Sequence, residues 1–255
     1  MIGRLDKEHN KYILETDIPC YHVDSQFRLK PASFMDMAQE IAYLAATVMG
    51  FGYDDLDKEG KVWVLSRMNI KFHRTPLWRE HVVLSTWHKG ARGPFYLRDF
   101  QMCAPSGEVL VTATSSWVLL DVAKRTMCRT AEIMEILGED TTCNEDAIAE
   151  PASKIAVPRG VEPDQFGVHK VEYSDVDLVG HTNNARYMVW AMDCIDFAEL
   201  KDRTVKELTI NFVHETKPDD YVNLEKVRVE SAEGVSYFID GKTDGRQAFC
   251  VRIDL

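Results

Sequence analysis

Three things are scarce in this chain. Cysteine is one: the six residues Cys20, Cys103, Cys128, Cys143, Cys194 and Cys250 stand apart with no C-x-x-C pair. Neither a disulfide framework nor a zinc site has its usual spacing here, and each thiol reads as a small apolar packing residue in a reducing compartment. Long apolar runs are another. No segment approaches the ~18 to 20 residues that a membrane span needs. The opening stretch, MIGRLDKEHNKYILETD, mixes both charge signs where a secretory leader would be apolar. The chain is therefore expected to be soluble, untargeted and cytoplasmic, with no membrane partner. The third is positive charge. With 30 Lys and Arg against 41 Asp and Glu the net charge is -11, which argues against nucleic acid and anionic membranes as partners. Common enzyme signatures are missing too: there is no G-x-S-x-G, no Walker glycine loop, no G-x-G-x-x-G after a strand and no H-E-x-x-H. His73, His81 and His88 fall on separate strand-like segments, so no metal site is expected.

What is present begins with an uneven charge distribution. Residues 61 to 130 carry eleven Lys and Arg against four acids, or +7, which leaves -18 for the remainder. A locally basic half could steer an acidic partner onto an otherwise acidic protein, through Lys71, Arg74, Arg79, Lys124, Arg125 and Arg129. The other reading is scattered, solvated charge.

The two halves also repeat. MNIKFHRTPLWREHVVL, from Met68, lies over LTINFVHETKPDDYVNL, from Leu208, at an offset of 140. DSQFRLKPASFMDMA, from Asp24, lies over DLVGHTNNARYMVWA, from Asp177, at an offset of 153. Each copy reads as a loop, a helix and then several alternating strands. FMDMAQEIAYLAATVMG is apolar on most sides, with Pro31 near its start and Gly50 as a stop, so it is expected to be a helix buried along much of its circumference. A buried helix followed by an antiparallel meander predicts an α+β unit, a helix wrapped by a curved sheet, made twice. The expected boundaries are 1–130 for the first unit, 131–168 for an acidic, proline-bearing connector and 169–255 for the second.

Asp175, Asp177, His181, Asn183 and Asn184 cluster before the second helix. Asparagine there is a good N-cap, and acids near a helix start are favoured by the dipole. A cap needs neither Asp177 nor His181. A histidine beside free helix N–H groups offers acid/base chemistry and anion stabilisation in one place. Glu215, at the end of a half-buried strand, is either a solvated strand-end charge or a third member of the same cluster.

The motif D-x-x-x-H-x-N-N-x-x-Y-x-x-W (Asp177, His181, Asn183, Asn184, Tyr187, Trp190), followed by LTINFVHE, resembles the acyl-acyl carrier protein thioesterases. In the first half WVLSRMNIKFHRTPLWRE, STWHKGARGPFYLRDF and SSWVLLD resemble that family's N-terminal signatures, so the likeness runs over about residues 10 to 255. The resemblance implies a double hotdog, two tandem hotdog domains, hydrolysing fatty acyl chains from acyl carrier protein without a cofactor. It places the phosphopantetheine-linked acyl chain in the first hotdog, along Met35, Ala38, Ile41, Ala42 and Ala45, and the catalytic positions at Asp177, His181 and Glu215. Acyl carrier proteins are generally acidic, so the basic segment becomes the expected docking surface. Two positions depart from the plant members: Val179 replaces a common asparagine, so Asn183 or backbone N–H groups must stand in, and Thr216 replaces a common cysteine. Glu215 or Asp177 would be base or nucleophile, with His181 orienting the water or thioester and protonating the leaving sulfur. An acyl-CoA thioesterase and a catalytically weakened acyl-binding module are the alternatives. Two hotdogs in one chain reproduce the usual hotdog dimer, so a monomer suffices and a homodimer of such chains is equally compatible.

Overall fold

The repeat becomes two wrapped helices in the computed structural model, which describes residues 3–129, 132, 141–158, 160–232 and 234–255. The first half contains β1 (Arg4–Asp6), β2 (Lys11–Asp17), α1 (Pro31–Val48), α2 (Tyr53–Asp57), β3 (Lys61–Phe72), β4 (His81–Arg92), β5 (Phe95–Cys103), β6 (Val109–Asp121) and β7 (Thr126–Met127). The second contains β8 (Asp164–Lys170), α3 (Asn184–Asp193), α4 (Phe197–Asp202), β9 (Glu207–Phe212), β10 (Tyr221–Ser231), β11 (Gly234–Thr243) and β12 (Arg246–Asp254). Pro31 opens α1, where its missing N–H costs nothing, and Gly50 at φ +83 follows its end. Between them Phe34, Met35, Ala38, Ile41, Ala42 and Ala45 are buried, as the helical spacing predicts.

The strands form a single sheet in the order β1-β2-β4-β5-β6-β3-β9-β12-β11-β10-β8, with β7 added on β6. It runs through both halves because β3 pairs antiparallel with β9. At that seam Asn69 lies opposite Thr209, and these are the two residues that the sequence repeat superimposes. A local twofold axis therefore passes through this pair, as it would in a dimer of two identical chains. A buried amide in a strand needs its hydrogen bonds made. Asn69 Nδ2 donates to Glu207 Oε1 (2.8 Å), Leu208 O (3.1 Å) and Thr209 Oγ1 (2.9 Å). The two helices pack on each other under the sheet, and one continuous apolar core spans both copies.

The expected connector differs in two ways. Residues 130, 131, 133–140 and 159 lie outside the described residues. The described part, 141–158, is pinned against the first half. Trp87 Nε1 donates to Glu145 O (2.7 Å), and Lys89 Nζ to Ile148 O (2.7 Å). The buried Asp99 carboxylate accepts from the backbone N–H of Ala147 (2.7 Å) and Ile148 (3.3 Å). Asn211 holds the far end, donating to Ser153 O (3.0 Å) and accepting from Ile155 N–H (2.8 Å). The second unit also starts earlier than residue 169, with β8 at Asp164. This strand lies at the sheet edge with nearly every residue exposed, so it lacks the apolar alternation that marks a strand in sequence. No helix among the described residues is long and apolar enough to cross a membrane.

Candidate active site

The loop before each helix is the same turn made twice. In the second copy Asp177 N–H donates to His181 O (2.9 Å) and Gly180 N–H to Asp177 O (3.1 Å). Asp177 Oδ1 accepts from the N–H of Val179 (3.0 Å) and of His181 (3.4 Å). In the first copy Asp24 N–H donates to Arg28 O (2.8 Å) and Phe27 N–H to Asp24 O (3.0 Å). Asp24 Oδ1 accepts from Gln26 N–H (2.8 Å) and Arg28 N–H (2.9 Å). Gly180 holds φ +80 at the tip, where Phe27 holds φ +62. A side chain at such a φ costs about 1 kcal/mol or more, and Phe27 offsets part of this by stacking on Trp78 at 5.9 Å. The turn thus places His181 where the first copy has Arg28.

Glu215 reaches His181 from the other side. Beyond β9 the chain folds back over Thr216, which is fully buried and joins three groups. Its O accepts from Thr182 N–H (3.0 Å), its Oγ1 lies 2.6 Å from Thr182 Oγ1 and 3.0 Å from Tyr187 OH, and its N–H donates to Tyr187 OH (3.0 Å). This buried knot locks the strand-end loop to the helix loop and leaves Glu215 Oε2 3.0 Å from His181 Nε2. The two side chains are 52% and 36% exposed, open enough for a substrate to reach. Sequence reading singled out Thr216 only as a replaced cysteine and missed Thr182 and Tyr187 as its partners. The signal was a single hydroxyl beside each charged residue, Thr182 after His181 and Thr216 after Glu215.

Asn183 is the α3 N-cap: its Oδ1 accepts from Ala185 N–H at 2.9 Å. That oxygen is committed to the helix, so Asn183 positions the loop. Asp175 is apart from the site, buried and bonded to His169 Nε2 (2.8 Å) and Glu172 N–H (2.9 Å), while the His169 ring lies 4.3 Å from that of Trp190. Val179 is 43% exposed at the loop tip. Among the described residues Asp177 Oδ2 has no hydrogen-bond partner, in contrast to Asp24 Oδ2, which takes Arg28 Nε at 2.9 Å.

Met35, Ala38, Ile41, Ala42 and Ala45 share the buried face of α1. The sheet across from that helix is not wholly apolar. Register puts His88 opposite Arg98, Arg98 opposite Ser115, and Ser115 opposite the core residue Met68, so a polar row faces inward. Burial pushes the Arg98 guanidinium down to about 10 and the His88 imidazole to about 4. The six basic residues expected as one docking surface do not form one. Lys71 lies opposite Thr112, whereas Lys124 follows Asp121, nine residues along the same strand and about 30 Å away. Arg74 is held by Glu80 (2.5 Å) and Glu108 (2.9 Å), and Lys124 by Asp121 (2.7 Å). Charge counted along a chain cannot tell one end of a long strand from the other. Since Asn211 pairs with Arg67 and β9 runs antiparallel to β3, Glu215 is carried toward the Lys61 end of β3. There Lys61 pairs with Asp121, beside the hairpin of Lys124, Arg125 and Arg129.

Two helices wrapped by one shared sheet, with a His–Glu pair at the start of the second helix, define a double hotdog. Within that class the chain belongs to the acyl-ACP thioesterase family: the acyl-ACP thioesterase N-terminal domain matches residues 9–137 and the C-terminal domain residues 161–254. It is 27% identical over 240 residues to oleoyl-acyl carrier protein thioesterase 2, chloroplastic, of Arabidopsis thaliana, covering 87% of this chain and 64% of that protein. Against palmitoyl-acyl carrier protein thioesterase, chloroplastic, of Gossypium hirsutum it is 24% identical over 235 residues, covering 86% and 55%. The chain thus spans somewhat over half the length of these curated relatives. An acyl-ACP thioesterase from Bacteroides thetaiotaomicron superposes with a TM-score of 0.85 at 22% identity, over 98% of this chain and 99% of that one. The 12:0-ACP thioesterase from Umbellularia californica gives 0.83 at 20%, over 96% of each chain. Both likenesses establish the fold.

Proposed function

We propose that this protein hydrolyses the thioester of a fatty acyl chain carried on acyl carrier protein, releasing the fatty acid and the free phosphopantetheine thiol. The observation that carries this reading is the 3.0 Å contact between His181 Nε2 and Glu215 Oε2, made across two loops and set at a helix start in a member of this family. Thioesters need little activation, because the carbonyl is electrophilic and thiolate leaves readily. Glu215 takes a proton from water as it adds to the carbonyl carbon, and His181 delivers a proton to sulfur as the C–S bond breaks. At the start of α3 the Ala185 N–H is taken by Asn183 Oδ1 and the Arg186 N–H by Asn183 O, which leaves, among the described residues, the Asn184 N–H for the developing oxyanion. Asp177 shapes the loop through Oδ1 and offers its second oxygen to the water or to His181. The acyl chain runs along the buried face of α1 through Met35, Ala38, Ile41, Ala42 and Ala45. The acidic carrier docks at the hairpin of Lys124, Arg125 and Arg129, which lies at the end of the sheet toward which Glu215 is carried.

The test is thiol release from matched acyl carrier protein and CoA thioesters over a series of chain lengths, with the freed acids identified. Faster turnover of the carrier-protein substrates is expected. Saturable acyl binding with no thiol release would overturn the assignment of an enzyme.

A further inference from the structure

The twofold axis through Asn69 and Thr209 generates a second position equivalent to the proposed catalytic site, formed by the 24–31 loop and the helices of the other half. A cavity of about 700 Å³ lies there, lined from the first copy by Asp24, Arg28 and Thr75 and from the second by α3 and α4. The cavity has a structural origin. Where α1 continues for 18 residues, α3 stops after 10, and the short α4 turns aside instead of continuing it. The chemistry of the first site is missing: Arg28 replaces His181 and Thr75 replaces Glu215. Arg28 is also spent on structure, its Nε on Asp24 Oδ2 (2.9 Å), Nη1 on Arg203 O (3.0 Å) and Nη2 on Leu200 O (2.5 Å).

Its lining is amphipathic. Ala32, Phe72, Val189, Met192, Leu200 and Val205 supply apolar wall. Lys30, Arg186 and Lys201 line it without an ion pair among the described residues, and Arg203 stands 3.5 Å from Glu199. The opposing acids are Asp36 and Asp193; burial raises both carboxyls, while Arg186, His22 and Lys30 act in the opposite direction on Asp36 and His169 on Asp193. The His22 Nδ1 atom in the same lining is buried with no hydrogen-bond partner. The volume falls within the roughly 300–1,000 Å³ of small-molecule sites. We propose that this cavity is a second, non-hydrolytic site that takes a fatty carboxylate, its tail along Ala32, Val189 and Met192 and its head on Arg186 and Lys30. On the activity proposed above, that ligand is the reaction product, and the site would sense its accumulation.

The test uses the full chain and hexadecanoate carrying a terminal diazirine, with the corresponding hexadecanol as uncharged control and peptide mapping after irradiation. Neither probe contains a thioester, so the result is separate from the question of hydrolysis. Saturable binding is expected, with label on peptides of α3 and α4. Arg186→Gln should weaken hexadecanoate about tenfold, equivalent to about 1.4 kcal/mol, and leave hexadecanol unchanged. Met192→Trp, which fills the cavity, should abolish labelling there. Label confined to α1 beyond Asp36 and the strands around it, equal loss for acid and alcohol in Arg186→Gln, or no saturable binding would each overturn the proposal.

Discussion

Residues 24–31 and 177–184 fold one backbone pattern to different ends. In the first copy the aspartate and the arginine answer each other inside the loop: Asp24 takes Arg28, and Arg28 also clasps α4 of the other half. In the second, the aspartate keeps one oxygen free of the turn and the histidine meets a glutamate from a distant loop. The lesson is that the turn is scaffold in both copies, and the proposed chemistry rests on two differences, His181 in place of Arg28 within the turn and Glu215 in place of Thr75 on the loop that meets it.

The largest effects should come from breaking that asymmetry. Glu215→Ala and His181→Ala should lower turnover ~10² to 10⁴-fold, the usual cost of losing an acid/base group, whereas Thr75→Ala should leave turnover unchanged. Steady-state thiol release measures all three. Aspartate to asparagine sharpens the comparison, because the amide oxygen still accepts the turn's two N–H bonds. Asp177→Asn should melt at the wild-type temperature while losing about 10² in turnover. Asp24→Asn should keep its turnover. Equal retention of turnover in both would leave Asp177 as scaffold alone.

Smaller effects test what holds each loop. Thr216→Val removes the hydroxyl that joins Thr182 to Tyr187 and should cost about 1 to 3 kcal/mol, read from denaturant melts, because buried partners lose their bonds. The first copy has Pro76 at that position, whose carbonyl accepts from Leu29 N–H at 2.8 Å; the backbone bond is common to both copies and the hydroxyl contacts belong to the second. Lys124→Glu with Arg125→Glu should raise KM a few-fold for protein-borne substrate and spare acyl-CoA. Arg74→Glu, at the far end of the sheet, should raise neither. The pH dependence should also reside in the first copy. Burial lowers His88 from 6.5 to about 4, so the unfolded chain binds the proton more readily and stability falls as pH drops from 6.5 toward 4. His88→Gln should flatten the melting profile across that window.

Much of this organisation was legible in the chain. The two repeat offsets placed the start of α3 opposite the start of α1 and superimposed the residues that meet at the twofold seam. His181 and Glu215 were named from a motif and a strand end, and the structure brings them together. What could not be read has physical causes. β8 carries no alternation because an exposed edge strand buries neither face. The docking cations separated because spacing along a strand becomes distance. The cavity beside Arg28 was invisible because it depends on where α4 turns away, and no local period records that.

The seam between β3 and β9 has one more consequence, for how the chain must be made. Along one edge, Arg67–Lys71 of β3 and Glu207–Asn211 of β9 are satisfied by the other half, so a polypeptide ending before residue 131 would present that stretch of β3 as a bare edge. Bare edges recruit other strands. A first half synthesised alone should therefore pair with a second copy of itself or aggregate, while co-expression with residues 141–255 should rescue it as a two-chain protein.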